Sequence, residues 1–514
     1  MPRFTKYKPY YLDLCIFIAL IICGAALYFL PLQNASFYYD DRASIVNNEV
    51  IKKIDIPKIF NAFNTRSLVG LSFALNYKWC QLNPFGYRLT NLLIHCLNAF
   101  LVYLLIKSTL NPANRWAATF GAILFLCHPI QTETVNSITQ RFVLMASFFY
   151  LLTIILYIQY RCRSQKRYMI LSLISAIAAM FCKEFTVTLP LMLCLYDFYF
   201  LNCHSEPQGR RISNWMRSFA SLRMTIPFFA IALIVPVLLL RTPREAIGPA
   251  NIADPSSNHG HIDITRAKGS ISREGYFLTE LNVVRTYVRL MFLPINQNFD
   301  YDYPLSYKPD ITTLLSGAFL LCLLVLAAVT RRTYRIISFS ILWFFISLSV
   351  ESSFVPIANV IEEYRLYLAS VGFVFLAVDL LYIRKADVRK LNMIAAAVLI
   401  GFSVLTYQRN KIWKDEFSLW DDTIKKSPHK ARAYNNRGLE YYGQGRLTEA
   451  ISDFSKAIEI NPNSAAAYNN RGVLYEIKGN KTQAISDFNK AIELNPGYAG
   501  ARRNLDGLRH AINN

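Results

Sequence analysis

Phe37-Tyr38-Tyr39-Asp40-Asp41-Arg42 sets two adjacent carboxylates just beyond a long apolar run, with Ile45 and Asn47 behind them. Paired acids at that place can take a proton from a hydroxyl, ligate a divalent cation, or do both. The simpler reading is an N-cap for a short helix beginning near Arg42. Further along, Arg141, Lys183 and Arg365 stand near the ends of apolar runs, with Glu133, Glu184 and Glu363 close by in sequence. Polar groups in such positions of a membrane bundle are seldom idle, although long cationic side chains also snorkel to an interface with no further role. Lys183-Glu184 equally reads as a structural ion pair. His95 and His128 are single histidines in apolar surroundings with no second ligand at helical spacing, so each is expected to hydrogen-bond inside the core rather than hold a metal.

The elements that must position these residues are membrane helices. The chain is 53% hydrophobic and 17% charged, too apolar for one soluble domain of 514 residues. Its apolar residues are clustered in runs such as Leu12–Leu32 and Ile311–Thr330 that approach bilayer length. About eleven spans are expected, near 10–32, 88–107, 116–134, 139–160, 168–184, 186–202, 225–240, 311–330, 336–357, 363–383 and 391–408. The net charge of +21 invites a nucleic-acid reading, but Lys and Arg sit mostly in short loops between spans, not on one face of a soluble domain. They alternate as cytoplasmic loops should: Arg3/Lys6/Lys8, Lys107/Arg115, Arg161/Arg163/Lys166/Arg167, Arg210/Arg211/Arg217/Arg223, Arg331/Arg332/Arg335 and Arg384/Lys385/Arg389/Lys390. The first run is longer than a signal-peptide core, so a retained span with a cytoplasmic N-terminus is expected. Tyr276–Pro294 is apolar but holds Glu280, Arg285 and Arg289; it reads as an amphipathic helix at the outer surface, with a full span as the alternative. The ten cysteines lie mostly inside apolar runs without metal-binding spacing, and read as small buried hydrophobes.

Two segments repeat 34 residues apart. Tyr434, Asn435, Asn436, Arg437, Gly438, Tyr441, Ala450, Phe454, Ala457 and Pro462 recur as Tyr468, Asn469, Asn470, Arg471, Gly472, Tyr475, Ala484, Phe488, Ala491 and Pro496. This is the tetratricopeptide (TPR) pattern: small residues let paired helices approach, Phe fills the gap, and Pro ends the second helix. The fold class is therefore all-α, a polytopic transmembrane bundle over 1–408 followed by an α-solenoid over 409–514. The bundle carries long outer segments at 33–87 and 241–310. The tail divides into a half-repeat at 413–430, repeats at 431–464 and 465–498, and a closing helix at 498–512. An odd number of spans puts the tail outside the cytoplasm. Asn435, Asn436, Asn469 and Asn470 lie near the concave face, where side-chain amides can bond an extended peptide; the plainer reading is solvated helix positions or caps.

Nearly the whole chain resembles the transmembrane and TPR-containing protein O-mannosyltransferases and their bacterial relatives, a group of polyprenyl-phosphate-sugar-using glycosyltransferases of the GT-C type. The resemblance runs through Tyr39-Asp40-Asp41-Arg42, Arg66, Leu71–Asn76, Gly86-Tyr87-Arg88 and Asn91–His95. It continues in His128-Pro129-Ile130-Gln131-Thr132-Glu133, Gln140-Arg141, Lys183-Glu184, Leu189-Pro190 and Glu363–Ser370. Relatives more often carry Pro after Arg66, His at 88 and Pro at 369, and bacterial ones often carry His at 364, where this chain has Ser67, Arg88, Ala369 and Tyr364.

The resemblance implies a GT-C-like bundle that transfers a sugar, hexosyl or mannosyl, from a polyprenyl-phosphate donor to an acceptor, expected to be a protein hydroxyl, at the non-cytoplasmic face. It places Asp40 and Asp41 as base or metal ligands, with a divalent cation left open. It gives Arg141, Lys183 and Arg365 to the donor phosphate, Glu133, Glu184 and Glu363 to orienting them by ion pairing, and His95 and His128 to support. The partners expected are membrane lipids, the lipid-linked donor, and a protein or peptide in the TPR groove, with no nucleic acid. The expected setting is a bacterial cytoplasmic membrane with the tail on the periplasmic side. A non-catalytic TPR scaffold for envelope assembly is the rival reading, and a transporter of lipid-linked sugars ranks third, because no internal repeat relates the two halves of the membrane part.

Overall fold

The structure, a computed structural model, describes residues 10–33, 36–110, 115–201, 224–241, 271–353, 355–357, 359–383 and 388–513. Arg3/Lys6/Lys8, Arg210/Arg211/Arg217/Arg223, Arg384/Lys385 and residues 242–270 of the second outer segment lie outside the described residues. Every regular element among the described residues is helical.

The membrane part uses α1 (Tyr10–Leu27), α2 (Ser67–Cys80), α3 (Pro84–Thr109), α4 (Arg115–Cys127), α5 (Arg141–Arg163), α6 (Lys166–Met180), α7 (Leu189–Tyr196), α8 (Ile234–Arg241), α9 (Arg273–Phe292), α10 (Ile311–Thr330), α11 (Arg335–Leu348), α12 (Leu366–Val378) and α13 (Val388–Ile412). Among the described residues six helical stretches are long and apolar enough to cross a bilayer, including α3, α5, α10 and most of α13; shorter apolar helices stand at α1, α4, Met224–Leu238 and α11. α10 leaves Leu314, Leu321 and Val329 exposed, an apolar face that suits lipid and not water. The expected junction after Gln408 falls inside α13, which runs on to Ile412.

Several expected spans stop short, and at one end. The span expected over 116–134 ends at Cys127, because His128 turns extended and Pro129 opens a new turn whose first free amide, that of Ile130, is taken by the His128 ring. Residues 128–139 then run as a short turn, a five-residue helix and a loop, all buried. The span expected over 168–184 ends at Met180, and Glu184–Thr188 is a tight turn leading into Pro190 of α7. The one expected over 336–357 ends at Leu348. Non-helical backbone at membrane depth survives only where protein satisfies it, so these ends form a protein-lined region. α9 is not a bare surface helix: Val283, Tyr287 and Leu290 pack with Leu320, Phe344 and Leu366 of its neighbours.

The first outer segment is built, not a loose loop. Asp55 caps the helix Ile56–Phe63, and Asn83 caps α3 with Pro84 at its first turn. The tail follows as α14 (Glu416–Lys426), α15 (Ala431–Gly443), α16 (Leu447–Ile460), α17 (Ala465–Ile477), α18 (Lys481–Leu494) and α19 (Ala499–Asn513). A Cβ on Gly438 would lie 2.7 Å from the Phe454 ring, and one on Gly472 2.8 Å from the Phe488 ring, so each repeat pair closes only with glycine there. Arg437 forks onto Asp453, and Arg471 onto Asp487, each with contacts of 2.8 and 2.9 Å. Arg437 also reaches back to Asp421 at 2.9 Å, tying the half-repeat to the first full repeat.

The root of the tail is wedged between two outer segments. Trp413 is buried against Tyr38 and Phe299, and Phe299 also meets Trp420. Asp300 takes Arg432 at 2.7 Å and Lys430 at 3.1 Å, while Ser427 accepts from the Asn298 side chain and the Asp302 amide.

Candidate active site

Asp41 is almost fully buried, and each of its oxygens accepts an amide: Oδ2 from Tyr38 N–H at 3.2 Å and Oδ1 from Thr139 N–H at 2.9 Å. Burial outweighs those bonds and the nearby Arg88 charge, and pushes the carboxyl up to about 6. Asp40 beside it is half-buried. The next residue, Arg42, pairs with Glu416 of α14 at 2.9 Å and lies 3.8 Å from Glu440 of α15. The acidic pair and the root of the TPR tail therefore share one face of the molecule. Arg88 braces the same corner: it bonds the carbonyls of Pro31 and Ser36 at 2.8 and 3.0 Å, and its guanidinium lies 4.3 Å from the Tyr38 ring centre.

The three cations expected at the donor phosphate divide. Arg141 is completely buried, with Nε on Asn91 Oδ1 at 2.8 Å, Nη1 on Asn76 Oδ1 and Nη2 on the Tyr87 carbonyl at 2.8 Å, and with Phe73 against its face. Its guanidinium is spent on protein acceptors, so it knits α2, α3 and α5 instead of facing a groove. Lys183 and Arg365 do come together. Lys183 Nζ pairs with Glu351 at 2.9 Å and sits 4.1 Å from the Tyr364 ring centre. Arg365 bonds the carbonyls of Val360 and Asn359 at 3.0 and 2.6 Å, and that of Glu351 at 3.4 Å.

The orienting acids are not the sequence neighbours. Glu184 takes Nε and Nη2 of Arg66 at 3.0 and 3.1 Å and the Thr65 hydroxyl at 2.9 Å, leaving Lys183 to Glu351. Glu363 accepts from Gln297, the Asn298 amide and Tyr301, fixing the second outer segment and not Arg365. The acid facing Arg365 is Glu280 of α9, at 3.7 Å. Glu133 is buried, and its Oε2 has no hydrogen-bond partner among the described residues. The histidines bond within the bundle: His95 joins Tyr367 at 2.7 Å and the Leu126 carbonyl at 3.3 Å, and His128 meets the Met291 carbonyl at 2.9 Å. Asn435, Asn469 and Asn470 form a ladder along the solenoid, Asn470 to Asn435 and Asn504 to Asn469 at 3.0 Å each, with Asn436 buried beside it. These amides bond one another across repeats.

One stretch unites the acids and the cations. Thr139 N–H holds Asp41, Arg141 follows, and the Phe142 ring lies 5.1 Å from the Arg66 guanidinium. Arg66 then leads through Glu184 to Lys183, Glu351 and Arg365. Arg66 and Glu351 were not singled out from sequence for this cluster. Their partners lie far off in the chain, and the signals for Arg66 are its position just ahead of α2 and its place in the motifs that carry the resemblance. Among the described residues no three His, Cys, Asp or Glu side chains converge, and each Asp41 oxygen accepts an amide.

Fold and motifs together define a polytopic, all-helical integral membrane protein with a C-terminal TPR array. The tail matches the TPR repeat family over residues 438–479 and the tetratricopeptide repeat family over 465–498. The chain is similar to "Protein O-mannosyl-transferase F38B6.6" of Caenorhabditis elegans, 25% identical over 86% of this chain and 62% of that one. It is 26% identical to human "Protein O-mannosyl-transferase TMTC1" over 86% of this chain and 55% of that one. It is 30% identical to Drosophila melanogaster "Protein O-mannosyl-transferase Tmtc1" over 45% of this chain and 29% of that one. The resemblance read from the motifs thus holds along most of the chain, which spans little more than half the length of the first and second of these relatives.

Proposed function

We propose that this protein is a glycosyltransferase of the membrane, moving a hexose, on the pattern of its relatives a mannose, from a polyprenyl-phosphate donor to a protein hydroxyl on the non-cytoplasmic side. The observation that carries this reading is the shared stretch Thr139–Phe142, with Asp41 on its first amide and Arg66, the first member of the cationic cluster, against its last ring. A scaffold gives no reason to bury a carboxylate and a row of cations together at a cost in desolvation.

In the proposed reaction the acceptor oxygen attacks the anomeric carbon from the face opposite the phosphate. The new C–O bond forms as the bond from that carbon to the phosphate oxygen breaks, and polyprenyl phosphate leaves. The acidic pair takes the hydroxyl proton. Asp40 is the accessible member, and Asp41, fixed by two amides, holds the turn and supplies a carboxyl tuned near neutrality. Lys183 and Arg365 supply the field that stabilises the departing phosphate, and Arg141 positions the α2, α3 and α5 corner from within. The TPR tail presents the acceptor beside Asp40 through the Arg42–Glu416 junction.

The domain division at about residue 412 and the peptide role of the groove belong to the same proposal. Asn435 is the half-buried member of the amide ladder and the one placed to meet a peptide. The test is transfer of labelled mannose from a polyprenyl-phosphate donor by the purified chain in lipid. Asp40→Asn and Asp41→Asn are each expected to lower the rate at least about a hundredfold; full activity in both variants ends this mechanism.

A further inference from the structure

Arg66 is the open member of the cation cluster. Its side chain is 39% exposed, against 7% for Lys183 and 1% for Arg365. It is also held rigidly for an exposed arginine. Nε and Nη2 form one edge of the guanidinium, and that edge lies on the two oxygens of Glu184 at 3.0 and 3.1 Å. Glu184 is itself pinned by the Thr65 hydroxyl, and the Phe142 ring supports the guanidinium from one side. The chain at Arg66 is fixed because the next turn bonds across to α6, Leu68 N–H to the Phe181 carbonyl at 3.1 Å. Nη1 has no hydrogen-bond partner among the described residues.

A guanidinium is a planar fork with two usable edges, so a carboxylate on one edge leaves the Nη1–Nη2 edge preset for a second planar or tetrahedral oxyanion. Beside it stand two further cations whose own hydrogen bonds go to Glu351 and to backbone carbonyls. Resting on the reading above, we propose that the Nη1–Nη2 edge of Arg66 is the fork that binds the phosphoryl group of the lipid-linked donor, with Glu184 as its positioning residue. Lys183 and Arg365 then add charge from beneath, and Arg66 provides the directional bonds at the mouth. The chemistry recognised is a phosphate monoester or diester, and an isoprenoid tail is what separates the lipid-linked source from free phosphate.

The fork is tested by binding, apart from transfer. The full chain is placed in phosphatidylcholine nanodiscs and titrated with citronellyl phosphate, citronellol and inorganic phosphate. The parent is expected to bind citronellyl phosphate, and citronellol and inorganic phosphate at least about tenfold more weakly. Arg66→Lys, which keeps the charge and the Glu184 ion pair but not the second edge, is expected to weaken citronellyl phosphate about tenfold. Glu184→Asp, which retracts the carboxylate that aims the fork, is expected to weaken it several-fold, and it serves where Arg66→Lys does not fold. Parent-like binding by the folded variants overturns the proposal, and so does inorganic phosphate binding as well as citronellyl phosphate. Arg66-dependent binding of citronellyl phosphate in a chain that transfers no sugar supports the fork while ending the transferase reading.

Discussion

Asp41 is a carboxyl whose burial costs more than its two amide bonds return, so it stays protonated until about pH 6. In the proposed mechanism the pair accepts the acceptor's proton with Asp40 as the accessible member and Asp41 ionised beside it. Transfer is therefore expected to hold above neutrality and to fall roughly tenfold per unit as pH drops well below 6, read as kcat/KM against pH in lipid. Stability carries the opposite sign. The folded carboxyl binds its proton more tightly than the unfolded one, so its contribution is complete below its ordinary value of 3.8 and is lost as pH rises through 6. Arg141 makes a different prediction, because it spends its guanidinium on Asn91, Asn76 and Tyr87 inside the bundle. Arg141→Ala orphans those acceptors and is expected to cost about 3 kcal/mol, seen as a lower melting temperature in detergent, with loss of activity following loss of fold. The types of these residues were legible in sequence, since charged groups in apolar runs announce themselves. Their pairings were not: Lys183 looks bound to Glu184 by adjacency, yet Glu184 serves Arg66, 118 residues away, and Lys183 serves Glu351.

Among the elements, hydropathy located helices and misjudged where several of them stop. A run of apolar residues reports that a segment is buried, whether helical or not. Residues 128–139 are as buried as a helix would be although most of them are polar, and Pro129 and the His128 cap end the regular backbone at Cys127. The candidate site lies at these interrupted ends, so the part of the fold hardest to read by periodicity is the part that holds the candidate residues. The repeats were more transparent, because a 34-residue period fixes every contact in advance. Even there the twin asparagines that look like a peptide platform are mostly bonded to each other across repeats. The tight glycines give a sharp test. Gly472→Ala pushes a methyl into the Phe488 ring, which lies 2.8 Å from that position, and is expected to cost about 1–3 kcal/mol. Hydrogen exchange of the full chain should report it as faster exchange confined to α17, α18 and α19, with α3 and α5 unchanged.

For the whole molecule, the acid pair, the cations and the tail must share one side of the membrane. The structure joins the acid pair and the tail through Arg42 to Glu416, Tyr38 to Trp413 and Asp300 to Arg432, and Asp41 to the cations through Thr139–Phe142 and Arg66. Which compartment they face rests on the positive loops at the other end, such as Arg161/Arg163/Lys166/Arg167. Single cysteines in place of Lys58 in the first outer segment, Lys490 in the tail and Arg163 between α5 and α6 report this directly in sealed, right-side-out vesicles. An impermeant maleimide is expected to label the cysteines at 58 and 490 from outside, and the one at 163 only after lysis. Labelling at 58 and 490 from opposite sides would contradict a common active face, and labelling of both only after lysis would contradict its facing away from the cytoplasm.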